Sequence, residues 1–186
     1  MSRTSIQFSK SDLAEVDHAV RAAEDLVNNF FKMSSGQWLK NRYDIKTAKD
    51  LAPHEYVAGP VAQVIKYEAR QNYNSLGSSG FTLYKVCLQD NAILDTLEVN
   101  LSLKLAPFLL YILTHELVHV VRFSKYEQRY ETRNEADVPW EEEQTVHRLT
   151  HEILGSVTVS GLKEVFEFYG DWLTVRRGES GSKNYE

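Results

Sequence analysis

An apolar segment from about Pro107 to Phe123, with three polar residues near its middle, most limits how this sequence can fold. Its apolar side chains recur all round a helix instead of along one stripe, which predicts a helix at the centre of the core. The three polar residues are His115, Glu116 and His119. Burying polar groups without partners costs several kcal/mol, so these side chains require either hydrogen bonds or a metal ion.

His115 to His119 form the pattern H-E-x-x-H, which has a metal-binding explanation. Residues four apart share one face of a helix, so both imidazoles can point at a single ion. Glu116 lies about 100° round the helix from His115, close enough to reach a water molecule on the ion without being a ligand. Zinc lowers the pKa of such a water to about 7, and a carboxylate can then accept its proton. The pattern predicts His115 and His119 as zinc ligands and Glu116 as a general base.

A catalytic zinc ion needs a third protein ligand, and the next predicted helix supplies the candidates. That helix starts near Pro139 and offers acidic and imidazole side chains: Glu141, Glu142, Glu143, His147 and His151. Acidic residues also stabilise the first turn of a helix through its dipole, which is an ordinary structural explanation for at least two of the three glutamates. Helical phase does not separate Glu142 from Glu143, so both remain candidates for the ligand.

After the H-E-x-x-H segment and a charged connection, this helix reads Glu143-x-x-Val146-His147-x-Leu149-Thr150-x-Glu152-Ile153-Leu154. The arrangement resembles that of the gluzincins, and it is most similar to the bacterial ImmA/IrrE-type zinc metallopeptidases. That family has a helix that starts E-x-x-A, with the glutamate as third zinc ligand, and later reads F-A-x-x-L-L. Matching 149–150 and 153–154 to this later part implies that the ligand is Glu143. The resemblance covers residues 114–154.

The resemblance implies a zinc-dependent metallopeptidase that hydrolyses peptide bonds, with Zn2+ as its cofactor. It implies limited proteolysis of a protein or peptide partner, such as a regulator, instead of general digestion. A function of another class is also compatible with the residues: a non-catalytic protein-interaction module that retains a structural or vestigial metal site. A metal-free helical scaffold is a third interpretation. Glu116 favours the enzyme, because a purely structural site does not need it.

Three further residues are candidates for supporting roles. His147 lies four residues after Glu143, at a place that in gluzincins often holds a group that orients a ligand; a partly buried surface histidine is the alternative. Tyr126 and Tyr130 lie in the charged segment after the metal helix, and they could donate to a developing oxyanion if that segment folds over the zinc. The alternative is that they only anchor a charged loop. His151, one turn beyond His147, is expected to face solvent.

The remaining pattern predicts one α+β domain over residues 1–177, followed by a disordered tail at 178–186. We expect a mainly helical, zincin-like domain with a small antiparallel sheet beside the H-E-x-x-H helix, divided into a helical N-terminal part at 9–75 and a metal-site part at 81–172. The predicted elements are a helix from Ser9 to Lys32 with Ser11 as N-cap, an irregular segment from Ser34 to Pro60, a helix from Pro60, strands Phe81–Leu88 and Ile93–Leu101, and a last helix from Gly161 to Trp172. The segment Phe81–Leu101 is expected to form the edge of a cleft along which an extended substrate pairs.

Composition narrows the compartment and the partners. The chain of 186 residues has a single cysteine, Cys87, so it has no disulfide framework, and metal ligands must be His and carboxylate side chains. A net charge of −5 disfavours nucleic acid as a partner. The N-terminal residues lack an apolar signal segment, and the charges within 101–121 argue against a membrane span. We therefore expect a cytoplasmic protein with a protein or peptide substrate, no nucleic acid and no membrane; the sequence does not indicate its oligomeric state.

Overall fold

The computed structural model describes residues 7–69, 81–125 and 140–174. These residues form a mainly helical fold with one three-stranded sheet, which confirms the predicted mixture of helix and strand. The helices are α1 Lys10–Phe31, α2 Ser35–Lys40, α3 Asp90–Val99, α4 Leu105–Lys125, α5 Trp140–Leu154, α6 Leu162–Phe168 and α7 Asp171–Thr174. The strands are β1 Asn41–Lys46, β2 Ala62–Ala69 and β3 Phe81–Leu88, and two 3₁₀ turns lie at Ala48–Asp50 and Pro53–Glu55.

Helix α4 is the centre of the fold. Every residue from Pro107 to Val121 is buried. Helices α1, α5 and α6 and strands β1 and β2 all pack against it. By length and composition α4 could cross a membrane, but 83% of its most apolar window is buried within the protein, as is usual for a helix in a protein core. The polar residues of the H-E-x-x-H pattern therefore lie inside the molecule, as the all-round apolar pattern predicts.

The sheet contains both parallel and antiparallel strand pairs, so the prediction of an antiparallel sheet is wrong. Its order is β1-β3-β2, with β1 parallel to β3 and β2 antiparallel to β3. Strand β3 confirms the predicted strand Phe81–Leu88, but it lies in the middle of the sheet. A substrate cannot pair along it, because the backbone groups on both its sides already bond to strands of this chain.

The predicted second helix is wrong, since residues 62–69 form β2. Val61, Val64 and Ile65 recur at helical spacing, but β-branched residues fit a strand better when a neighbouring strand is present. Here β3 is that neighbour, and Val64 pairs with Val86. The preference of these residues for a sheet therefore overrides their spacing.

The sequence predicts a helical N-terminal part at 9–75, and this prediction is wrong in part. This part contains β1 and β2 in addition to helices α1 and α2. The segment Ser34–Pro60, predicted to be irregular, contains α2, β1 and both 3₁₀ turns. Strand β1 gains its hydrogen bonds from β3, about 40 residues further along the chain, so local sequence carries little sign of it.

The predicted strand Ile93–Leu101 is also wrong, because α3 occupies most of it. The alternation of Leu97, Val99 and Leu101 suggests one buried strand face, yet Val99 is 80% exposed and Leu101 is 91% exposed. Ile93 is fully buried and Leu97, one helical turn later, packs against the same core. These two residues are four apart, so they lie on the same face of helix α3, and this face packs on the core.

Two helix boundaries differ from the prediction. The N-cap of α1 is Ser9 instead of Ser11: the Ser9 hydroxyl accepts from the Asp12 N–H at 3.2 Å, and the Asp12 carboxylate accepts from the Ser9 N–H at 2.8 Å. This reciprocal pair satisfies two backbone donors at once. The predicted helix Gly161–Trp172 is two helices, α6 and α7, separated at residues 169–170. The predicted tail at 178–186 lies outside the described residues.

Candidate metal centre

Two facing stripes of side chains, one on α4 and one on α5, form the candidate site. Each stripe has one residue per helical turn: Tyr111, His115 and His119 on α4, and Glu143, His147 and His151 on α5. The two helices run in opposite directions, since His119 lies beside Glu143 while Tyr111 lies beside His147 and His151. Residues at intervals of four share a helix face, so the antiparallel pair brings six polar or aromatic side chains into one row.

Three of the predicted ligands converge. The Nε2 atoms of His115 and His119 are 3.1 Å apart. Each also faces one oxygen of Glu143: His115 Nε2 lies 3.3 Å from Oε2, and His119 Nε2 lies 3.2 Å from Oε1. Ligands bonded at 2.0–2.1 Å to a tetrahedral zinc are about 3.3 Å from one another. The three side chains therefore fit the donor set and the spacing that a zinc ion requires.

Glu142 and Glu143, which helical phase does not separate, have different partners. Glu142 is buried, and its carboxylate accepts two hydrogen bonds from Arg122, one from Nε and one from Nη2 at 2.7 Å. Glu143 points at the histidine pair. Glu141 is exposed at the helix surface. Of the three glutamates, only Glu143 is thus in a position to bind an ion held by His115 and His119.

The charge state of Glu143 suits a ligand. Burial alone would raise the pKa of the Glu143 carboxyl, but hydrogen bonds from His115 and His119 lower it well below its ordinary value. Burial likewise acts to lower the pKa of His119, and the hydrogen bond and charge of Glu143 outweigh it, so this pKa is raised. Glu143 is therefore a carboxylate at neutral pH, the form in which it can bind a cation.

Glu116 directly follows His115 on α4, and its side chain is buried. Burial raises the pKa of its carboxyl, although the charges of His115 and His119 act in the opposite direction. A general base works best when its pKa lies near the operating pH, so a raised pKa suits a proton-accepting role.

His147 is buried. Its burial excludes the alternative of a histidine at the protein surface. Its Nδ1 forms a hydrogen bond with the Tyr111 hydroxyl at 2.7 Å. Burial lowers the pKa of His147 to about 3, so the imidazole is neutral. A ligand atom of His147 lies within 4.8 Å of those of His115 and Glu143. His147 therefore belongs to the site, where it can act as a ligand or as an orienting group.

The expectation that His151 faces solvent is wrong. His151 is half-buried, and its ring stacks on Phe166 with centroids 4.4 Å apart. Its Nε2 is buried and has no hydrogen-bond partner among the described residues. Tertiary packing of α6 against α5, which the sequence pattern does not show, covers this position.

Several aromatic residues at the site were not predicted from the sequence. Tyr111 was detectable in principle, because it lies four residues before His115 on the same helix face. Tyr169 stacks on Tyr111 with centroids 4.3 Å apart, and Trp172 stacks on His147 at 4.7 Å. These two come from the end of α6 and from α7, and no local motif links them to the metal helix. The predicted Tyr126 and Tyr130 lie outside the described residues.

No family model, curated protein or solved structure matches this chain.

Proposed function

We propose that this protein is a zinc-dependent metallopeptidase. The observation that carries the proposal is the convergence of His115, His119 and Glu143 at 3.1 to 3.3 Å, together with the burial of Glu116, the residue after His115. A metal-free cluster is the main structural alternative, since the same distances suit hydrogen bonds. If both imidazoles donate to Glu143, however, two N–H groups are forced together at an Nε2–Nε2 distance of 3.1 Å. A cation bound by both nitrogens removes this repulsion.

The chain's own residues would divide the work as follows. His115, His119 and Glu143 hold the ion. A zinc ion in this place would supply Lewis-acid chemistry toward a peptide carbonyl and would lower the pKa of a coordinated water to about 7. Glu116 accepts a proton at its carboxylate and returns it to the leaving amine. Burial raises the pKa of Glu116, which makes its carboxylate a stronger base than an exposed glutamate.

The substrate in this proposal is a protein or peptide partner, cleaved at a limited number of positions in the cytoplasm. Support for this part comes from the resemblance of residues 114–154 to peptidases that act on regulators. The mixed sheet leaves β1 and β2 as its outer strands, so pairing with an extended substrate would have to use one of these two instead of β3.

A second candidate function is a protein-interaction module that keeps a structural metal. One observation favours it: His147 places a ligand atom within 4.8 Å of those of His115 and Glu143, so a further protein ligand is at hand beside the site. Structural zinc sites are usually closed in this way, whereas catalytic sites keep one position open. Glu116, which a structural site does not use, favours the peptidase.

Cleavage of a proteome-derived peptide library separates the two candidates. We expect zinc-loaded wild-type protein to create new peptide termini that mass spectrometry detects. The control is the Glu116→Gln variant loaded with the same amount of zinc, which should create few or none. Equal cleavage patterns for the two proteins, or no zinc in the purified wild type, would contradict the peptidase proposal.

A further inference from the structure

We propose that His147 is a fourth protein ligand of the metal centre, held in place by Tyr111, and that it closes the coordination sphere until a substrate displaces it. The proposal rests on the proposed function, since it concerns the resting state of the same site. It differs from an orienting role, in which His147 would only hold another ligand by a hydrogen bond.

The position of His147 is the first support. Its ligand atom lies within 4.8 Å of those of His115 and Glu143, and its ring centroid is 4.4 Å from that of His115. The His115, His119 and Glu143 atoms are already at the 3.1 to 3.3 Å spacing of neighbouring zinc ligands. His147 thus places a further imidazole beside the His115 and Glu143 side of the set.

The hydrogen bond between His147 and Tyr111 is the second support. A metal-bound imidazole usually donates its other ring N–H to an oxygen, which fixes the tautomer and frees the inner nitrogen for the ion. Among the described residues, the buried Nδ1 atoms of His115 and His119 have no such partner. His147 Nδ1 does have one, the Tyr111 hydroxyl at 2.7 Å. Of the three histidines, His147 is therefore the one whose outer ring nitrogen is already fixed by a hydrogen bond.

Aromatic packing provides the third support, because it limits how the ring can turn. Trp172 stacks on His147 at 4.7 Å with an interplanar angle of 23°, and Trp140 stacks on Trp172 at 4.2 Å. Tyr169 packs against the same imidazole at 5.2 Å. With its faces covered and Nδ1 tethered, the imidazole is held so that Nε2 is the nitrogen left for the ion.

A site with three histidines and one carboxylate leaves no position for substrate. His147 is the ligand that can leave, because the contacts at 3.1 to 3.3 Å join His115, His119 and Glu143, whereas His147 only lies within 4.8 Å of two of them. Displacement would involve only exchange of one neutral donor for another, with no change in the charge of the site. The resting protein would then be inactive toward molecules that cannot compete with His147.

X-ray absorption at the zinc edge tests the proposal without any need for a substrate. We expect three imidazoles per zinc in the wild type and two in His147→Phe, a change that keeps an aromatic ring against Trp172. The matched control is His151→Phe, one turn further along the same stripe, which should keep three. Two imidazoles in the wild type, unchanged in His147→Phe, would overturn the proposal.

Azide binding to the cobalt-substituted protein provides a second readout. An open position admits azide and changes the visible spectrum, so we expect His147→Phe to bind azide at least 10-fold more tightly than the wild type. Tyr111→Phe, which lacks the tethering hydroxyl, should weaken zinc affinity by about 10- to 100-fold, the range for lost outer partners. Equal azide affinity in all three proteins would contradict a closing role for His147.

These outcomes are distinguishable from failure of the proposed function. Wild-type protein that binds no zinc removes both proposals. Three imidazoles in a protein whose Glu116→Gln variant cleaves the same peptides as the wild type would support the ligand and contradict the peptidase. Two imidazoles in an active enzyme would overturn the closing role alone.

Discussion

Arg122 donates two hydrogen bonds, from Nε and Nη2, to the carboxylate of Glu142 across the interface between α4 and α5. Because Glu142 and Glu143 are adjacent on α5, this contact fixes the rotation of the helix and directs Glu143 toward the histidine pair. The two glutamates therefore have separable roles: Glu142 docks the helices, and Glu143 is the residue that we propose as a metal ligand.

Replacing Glu143 should abolish metal binding without unfolding the protein. We expect Glu143→Ala to lose most of its zinc, because one of three close ligands is gone and the remaining two histidines bind weakly. Zinc content per chain, measured by atomic emission after dialysis, checks this. The matched control is Glu141→Ala on the same turn, which should keep its zinc; a loss of equal size in both variants would contradict the assignment.

Replacing Arg122 should lower stability instead. Arg122→Met leaves the buried Glu142 carboxylate without its main partner, and breaking a buried pair from one side costs about 3 kcal/mol or more. Urea denaturation of the metal-free proteins measures the free energy of unfolding. The double variant Arg122→Met with Glu142→Leu should recover much of the loss, since it buries no uncompensated charge. A single variant as stable as the wild type would show that the contact contributes little.

Replacing Glu116 should separate catalysis from metal binding. Glutamine keeps the size and much of the hydrogen bonding of glutamate, but it cannot accept the proton. We expect Glu116→Gln to keep its zinc and its stability and to lose activity by about 10²- to 10⁴-fold, as is typical of a general base. The comparison uses any peptide that the wild type cleaves. Retained activity would leave Glu116 without a catalytic role.

Stability should fall at acid pH through Glu55, a buried carboxylate outside the candidate metal site. Burial acts to raise the pKa of Glu55, but hydrogen bonds from Lys85 and Tyr67 lower it from 4.5 to about 2. Since the folded-state pKa lies below the unfolded one, Glu55 contributes its full stabilisation above pH 4.5 and loses it as the pH falls toward 2.

Denaturation of the metal-free protein between pH 6 and pH 3 measures this contribution. The double variant Glu55→Gln with Lys85→Met should show a shallower loss of stability over that interval than the wild type. Parallel curves for the two proteins would mean that the Glu55–Lys85 pair does not shape the acid response.

The parts of the site that could be predicted from sequence are those with a local cause. His115, Glu116 and His119 follow from a spacing of four on one apolar helix, and no distant residue is needed to place them. The choice between Glu142 and Glu143 depends on Arg122, a contact between helices that helical phase does not reveal. The resemblance to a family, not the phase, favoured Glu143.

The sheet likewise depends on contacts between distant residues, which local sequence does not reveal. The spacing of residues 61–65 suits a helix and a strand about equally, and only the presence of β3 decides between them. The aromatic wall beside His147 could not be predicted at all, since Tyr169 and Trp172 reach it by the packing of α6 and α7. Non-local pairing therefore accounts for most of the errors.

The fifteen buried residues of α4 also bear on how an ion would enter and leave. Amide protons of such a helix exchange with solvent only when the whole domain opens, so His115 and His119 sit on the part of the chain that opens last. Glu143 lies in the first turn of α5, where helices open more readily than in their middle, so this turn can open once the Arg122–Glu142 contact breaks. Metal exchange should therefore follow the opening of that turn, with a rate set by its fraying and with the two imidazoles left in place.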